Sequence, residues 1–159
     1  MSGLASVTLL EPGDGSLGPL LRVTEDRLAP GAGYGRHVHT DVDVVAVVLA
    51  GSLTHGWGSD AALAAGDVGW LRAGAGLEHD EVAGPAGAVV VQTYLRAHAP
   101  GLPAAHDVLR AQGGWVDLGR PDARLWVGPG EPPEGLAVRT STGAVLVWQL
   151  DTGRPAWAR

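Results

Sequence analysis

Short apolar runs, punctuated by Gly or Pro, recur along the whole chain, and many carry β-branched residues or alternate with polar ones. Runs of a few residues bounded by turn formers read as strands rather than helices. They predict strands at 20–28 (LLRVTEDRL), 42–49 (VDVVAVVL), 52–56, 68–71, 77–83, 88–95 (AVVVQTYL), 123–128 and 144–150 (AVLVWQL). Turns are predicted at Ala29–Gly31, Ala50–Gly51, Ala65–Asp67, Arg72–Gly76 and Gly84–Gly87. One helix is predicted over 103–112, with Pro103 at its first position and Gly113 as its stop. Many short strands at regular spacing indicate an all-β barrel or sandwich. The stretch from Ala97 to Pro103 reads as a connection, dividing the chain into a barrel at 1–103 and a shorter C-terminal portion at 104–159.

Two polar pairs interrupt this pattern. His37 and His39 stand two apart just before a valine run, and His79 and Glu81 stand two apart about forty residues later. On an extended strand, residues i and i+2 share a face, with Cα atoms roughly 6.5–7 Å apart. Two imidazoles so placed can converge on one cation at about 2.1 Å from each nitrogen. A single such pair is as readily two exposed histidines at a strand end. Two pairs on two strands of one small β domain point instead to three neutral imidazoles and a carboxylate around one ion. That sulfur-free set suits Fe(II), Mn(II), Ni(II), Co(II) or Zn(II). The intervening AGAG (73–76) is expected to let the backbone turn sharply beside the site, and the small residues there imply an open cavity.

Composition narrows the alternatives. The 159 residues suit one domain with a real core; they are 45% hydrophobic and 18% charged, with 25 Gly and 11 Pro. A net charge of −6 and scattered Lys and Arg argue against a nucleic-acid partner. The absence of Cys removes disulfides, thiolate metal sites and a cysteine nucleophile. No signal-like N-terminus and no apolar run of membrane-spanning length is present, so a cytoplasmic protein without a membrane partner is expected.

The spacing HxHx3[E/D]x7G, followed by GDVxWxxAGxGxxHxE, resembles the metal-binding barrel of the pirin family within the cupin superfamily. It runs through His37, His39, Asp43 and Gly51, then Gly66, Asp67, Val68, Trp70, Ala73, Gly74, Gly76, His79 and Glu81. The resemblance implies a double-stranded β-helix (jelly-roll) barrel with one divalent metal, usually Fe(II), held by His37, His39, His79 and Glu81. It also implies dioxygenase chemistry on a flavonol-like or otherwise enolisable small molecule, with Glu81 and His79 as the catalytic residues. Relatives that act through protein contacts keep a regulatory or binding role open, and a non-redox isomerase, cyclase or dehydratase would use the same residues. Two departures stand out. Pirin-like chains carry two barrels, whereas only about 55 residues follow Ala104 here, a remnant of a second half. Asp43 also replaces the longer Glu of the family and is a candidate second acceptor behind a ligand imidazole. His55, Tyr34 and Trp70 are further pocket candidates, with Trp57 beside them, whereas His98 and His106 read as surface residues and Asp80 as solvated. A sheet face left bare by the missing half would call for cover by the C-terminal portion and for a two-fold homodimer.

Overall fold

The computed structural model describes residues 3–12, 14–57, 59–110 and 113–153, with the side chains of 57, 59 and 60 outside that description. Trp57 as a pocket wall therefore falls outside the described residues. Among them all regular structure is β, and every strand pairing is antiparallel. No helix is long and apolar enough to cross a membrane.

The first sheet is built on two long strands, β4 (Val42–Trp57) and β7 (Leu77–Arg96), which pair along most of their length. Around them stand β1 (Leu4–Leu10), β2 (Leu20–Leu28), β3 (His37–His39), β5 (Ser59–Ala64), β6 (Val68–Arg72) and β8 (Ala105–Leu109). The order is β1-β2-β7-β4-β6-β8, with β3 added to β7 and β5 to β4. A second sheet, β11-β12-β10-β9, comprises β9 (Gly114–Val116), β10 (Ala123–Val127), β11 (Leu136–Arg139) and β12 (Val145–Leu150).

Three sequence expectations are corrected here. The predicted turns at Ala50–Gly51 and Gly84–Gly87 are bends inside β4 and β7, with register shifts between Val48 and Ala50 and between Gly51 and Leu53. Gly51 and Gly87 have positive φ, and a Cβ on Gly51 would strike the Gly87 carbonyl. Glycine therefore lets the paired strands bend together without separating. The predicted helix over 103–112 is instead strand β8 at Ala105–Leu109, its last two positions lying outside the described residues, and β8 pairs with β6 so that Leu71 faces His106 and Trp70 faces Asp107. An isolated ten-residue helix gains too little to nucleate, whereas the free edge of β6 offers a backbone partner for every other residue. Finally, the AGAG turn makes its close approach elsewhere. A Cβ on Gly74, at positive φ, would collide with the Leu102 carbonyl, so the tight contact is with the chain leading into β8.

Alternation along β4 sorts its side chains. Val44, Ala46 and Val48 face the barrel interior with Leu53, Leu63, Leu71, Leu77 and Val90. Val45 and Val47 face the other way and pack with Val91, Leu95, Leu125, Leu146 and Trp148. The second sheet thus covers the outer face of the first within one chain. Glu25 on β2 fastens the two, accepting bonds from the Ser141 backbone N–H and hydroxyl.

Asp43 belongs to this outer interface. Its carboxylate accepts from Arg120 Nη1 at 3.1 Å and Trp70 Nε1 at 3.3 Å, and Arg120 also binds Asp122 and the Arg96 carbonyl. Both partners of the Asp43–Arg120 pair are almost wholly buried (2% and 1% exposed side chains). Burial raises the Asp43 pKa, and the Arg120 charge opposes that rise. Neither Asp43 nor Trp70 lines the interior, because both are at odd β4 or even β6 positions, opposite Val44 and Leu71. Removing one partner of a buried pair strands the other charge. Arg120→Ala is therefore expected to cost about 3–5 kcal/mol, read as a lower urea midpoint, whereas Arg36→Ala, which breaks an exposed pair with Glu78, stays within about 0.5 kcal/mol.

Candidate metal centre

The interior polar residues arrive on three strands by alternation. β3 presents His37 and His39 on one side and leaves Val38 65% exposed on the other. β7 presents His79, Glu81 and Ala83 inward, then, beyond its bend, Gln92 and Tyr94. The bent part of β4 brings His55 directly opposite Glu81. Because β3 pairs with β7, His37 lies across from His79. A two-residue spacing on each strand thus becomes a cluster through one register.

His37, His39 and His79 form one group whose ligand atoms all lie within 4.8 Å of one another. His37 Nε2 and His79 Nε2 are 2.8 Å apart, close to the separation of about 3.0 Å between two adjacent ligands bound at 2.1 Å and 90°. His37 Nδ1 lies 2.7 Å from the Gly35 carbonyl, an acceptor only, so Nδ1 carries the proton and Nε2 keeps its lone pair. His39 Nε2 is buried and has no hydrogen-bond partner. Three converging nitrogens, one of them orphaned, fit a divalent ion. Burial pushes His79 down to about 3, helped by the neighbouring histidines, and lowers His39 as well. Both are therefore neutral at pH 7, the form that ligates metal.

Glu81 stands apart from that group. With His55 it surrounds the other nitrogen of His79: His55 Nε2 is 2.5 Å and Glu81 Oε1 3.8 Å from His79 Nδ1. These three form a second, overlapping set, fully buried, with His79 common to both. Gln92 donates to Glu81 Oε2 at 3.0 Å, and burial lifts the Glu81 pKa to about 7 against that bond. A His79 that binds an ion through Nε2 carries its proton on Nδ1 and donates it to His55 Nε2. Burial holds His55 down to about 4, which keeps it an acceptor.

Tyr34, a candidate acid, donates to Asp26 Oδ2 at 2.6 Å, and burial and the Asp26 charge raise its pKa well above the ordinary phenol. It anchors Asp26, which also accepts from Ser6 Oγ, and is not a free acid. His106, read from sequence as a surface residue, stacks on His55 with centroids 4.2 Å apart and planes 15° apart. The cavity these two share with Glu81, Leu53 and Leu71 measures about 10 Å³, the lower limit for one water. The space behind the histidines is small, and His37 and His39 are themselves half-buried. Sequence reading passed over Gln92, Tyr94 and Asp26. The signal was available: in TED and VQTY these residues fall on the inward register of strands already recognised.

Comparison with known proteins agrees with this architecture. The family model described as Pirin matches residues 9–95. A provisionally named quercetin 2,3-dioxygenase of Zymomonas mobilis is 41% identical over 59 residues, 36% of this chain and 25% of that protein. Pirin-like protein 2 of Arabidopsis thaliana is 38% identical over 68 residues, 42% of this chain and 21% of that protein. The matched segment thus spans about a quarter of the length of these relatives. Among solved structures, the nickel(II) complex of the Escherichia coli pirin YhhW superposes with a TM-score of 0.70 at 20% identity, covering 80% of this chain and 65% of that one. The quercetin 2,3-dioxygenase of Acinetobacter baumannii gives 0.62 at 25% identity, covering 80% and 51%. The fold is the cupin double-stranded β-helix barrel.

The geometry distinguishes residues that could hold a metal ion from their neighbours. Loss of His39 or His79 to Ala is expected to weaken Co(II) or Ni(II) binding at least about 100-fold by competition with a chromophoric chelator. Asp43→Asn, on the outer face, should leave that affinity unchanged while lowering the urea midpoint.

Proposed function

Because this chain belongs to the Pirin family, we propose that it is a metal-dependent oxygenase in which His37, His39 and His79 hold one divalent ion, Fe(II) by preference. The observation that carries this reading is the convergence of three imidazoles with the His39 nitrogen left without a protein partner. A bound Fe(II) supplies the one-electron chemistry that lets dioxygen react with an enol. The residues of the chain do the rest. His37 is held by the Gly35 carbonyl and His79 by His55, so their Nε2 lone pairs are aimed before any ion arrives. Such preorganisation limits the reorganisation needed when the ion or substrate binds.

Glu81 is the candidate base and fourth ligand. Gln92 occupies Oε2, which leaves Oε1 to accept a proton from an enolic hydroxyl or to turn towards the ion. A substrate would approach from the side of the half-buried His37 and His39, because the space behind His55 is small. A small enolisable molecule, up to the size of a flavonol, would enter there.

The test is oxygen uptake by Fe(II)-loaded protein offered quercetin and smaller enols. Uptake that depends on iron and on His79 supports the reading, and a chain that binds iron but consumes no oxygen with any of them overturns the oxygenase assignment. Glu81→Gln keeps the side-chain shape and removes the charge. It is expected to retain metal through the three histidines and to lose about 10²-fold in turnover. Loss of metal instead would place Glu81 among the essential ligands.

A further inference from the structure

Arg22 sits where the proposed substrate would enter, and the sequence offers no motif around it. In the β2–β7 register it pairs with Tyr94, and its guanidinium carbon lies 4.6 Å from the Tyr94 ring centroid. That ring is in turn 5.9 Å from His39, whose Nε2 is the unpartnered nitrogen of the metal group. Arg22 is half-buried, its Nε is buried and without a hydrogen bond, and no carboxylate among the described residues lies within ion-pair distance. The contrast with Arg36, Arg110 and Arg120 is plain, since each of these has an acidic partner.

Arg96 shares the feature. It follows Tyr94 by two residues on β7, hence on the same strand face, and its Nε is also buried without a partner. In a chain with 17 acidic and 11 basic residues, Arg22 and Arg96 stand out as two partly buried arginines without acidic partners among the described residues. Partly desolvated guanidinium is costly unless an anion compensates it, and its planar fork matches a carboxylate.

We propose that Arg22, stacked on Tyr94, is the anion-binding end of the ligand site, and that the molecule received there is a small planar carboxylic acid. Its carboxylate meets Arg22, its π-system lies along Tyr94, and its enolic or phenolic oxygens reach the histidine group. This rests on the metal reading above for the second half of the ligand, whereas the carboxylate end stands on Arg22 and Tyr94 alone.

The experiment uses the full chain loaded with Co(II) and two probes with the same catechol oxygens, 3,4-dihydroxybenzoate and its neutral amide, 3,4-dihydroxybenzamide. Binding is read from the visible Co(II) bands. The acid is expected to bind at least about tenfold more tightly than the amide, and Arg22→Gln to bring that ratio close to one, with Arg22→Lys between. Equal affinity of acid and amide in the unaltered protein, or a ratio that Arg22→Gln leaves unchanged, overturns the proposal. A second measurement separates it from the metal assignment. In metal-free protein, benzoate should shift the Arg22 Nε–H resonance, identified by its loss in Arg22→Gln, and benzamide should not. Failure of Co(II) to bind overturns the metal reading and leaves the benzoate titration to decide Arg22; absence of a benzoate shift overturns the carboxylate site whatever the metal does. If Arg22→Gln fails to fold, the comparison of acid with amide in the unaltered chain carries the decision.

Discussion

Burial of β4 and β7 on both faces is the constraint on which the rest of this structure depends. A strand with water on one face needs only alternate apolar residues, but Val44 to Val48 are all buried, and so are Val90 to Thr93. Each face then has its own task. One packs against the second sheet through Val45, Val47, Val91 and Leu95; the other lines an interior that ends in the histidines. A one-residue slip of either strand would exchange the two faces and turn His79 and Glu81 out to the side where Glu78 and Val82 are exposed, so register, more than any single contact, protects the site.

The polar groups follow the same division. On the outer face, Asp43 and Arg120 neutralise one another and tie the sheets together. On the inner face, charge is suppressed instead: burial keeps His55 and His79 neutral and lifts Glu81. A cluster of four imidazoles that stayed protonated would repel itself, and a cluster that stays neutral offers lone pairs to a cation. His79 is the hinge of this arrangement, with no solvent exposure and a different neighbour on each ring nitrogen. The stacked His106 extends the cluster to β8, so a segment beyond the matched family region also supports the site.

The sequence by itself determined the all-β class, most strand positions and the His37, His39, His79 group, because period-two alternation and the HxH and HxE spacings are local properties of an extended chain. It did not determine which face Asp43 and Trp70 occupy relative to the histidines. Parity along one strand places residues on the same or opposite face only within that strand, and the bends at Gly51 and Gly87 interrupt the count. Nor could it show that AHDVL forms a strand, since the free edge of β6 that recruits it lies about 35 residues earlier in the chain. The juxtaposition of Arg22, Tyr94 and His39, the attachment of His55 to the rear nitrogen of His79, and the small space behind them were decided only by tertiary structure. Each depends on the register between strands distant in sequence, and that register is set by which apolar faces the whole barrel can bury together.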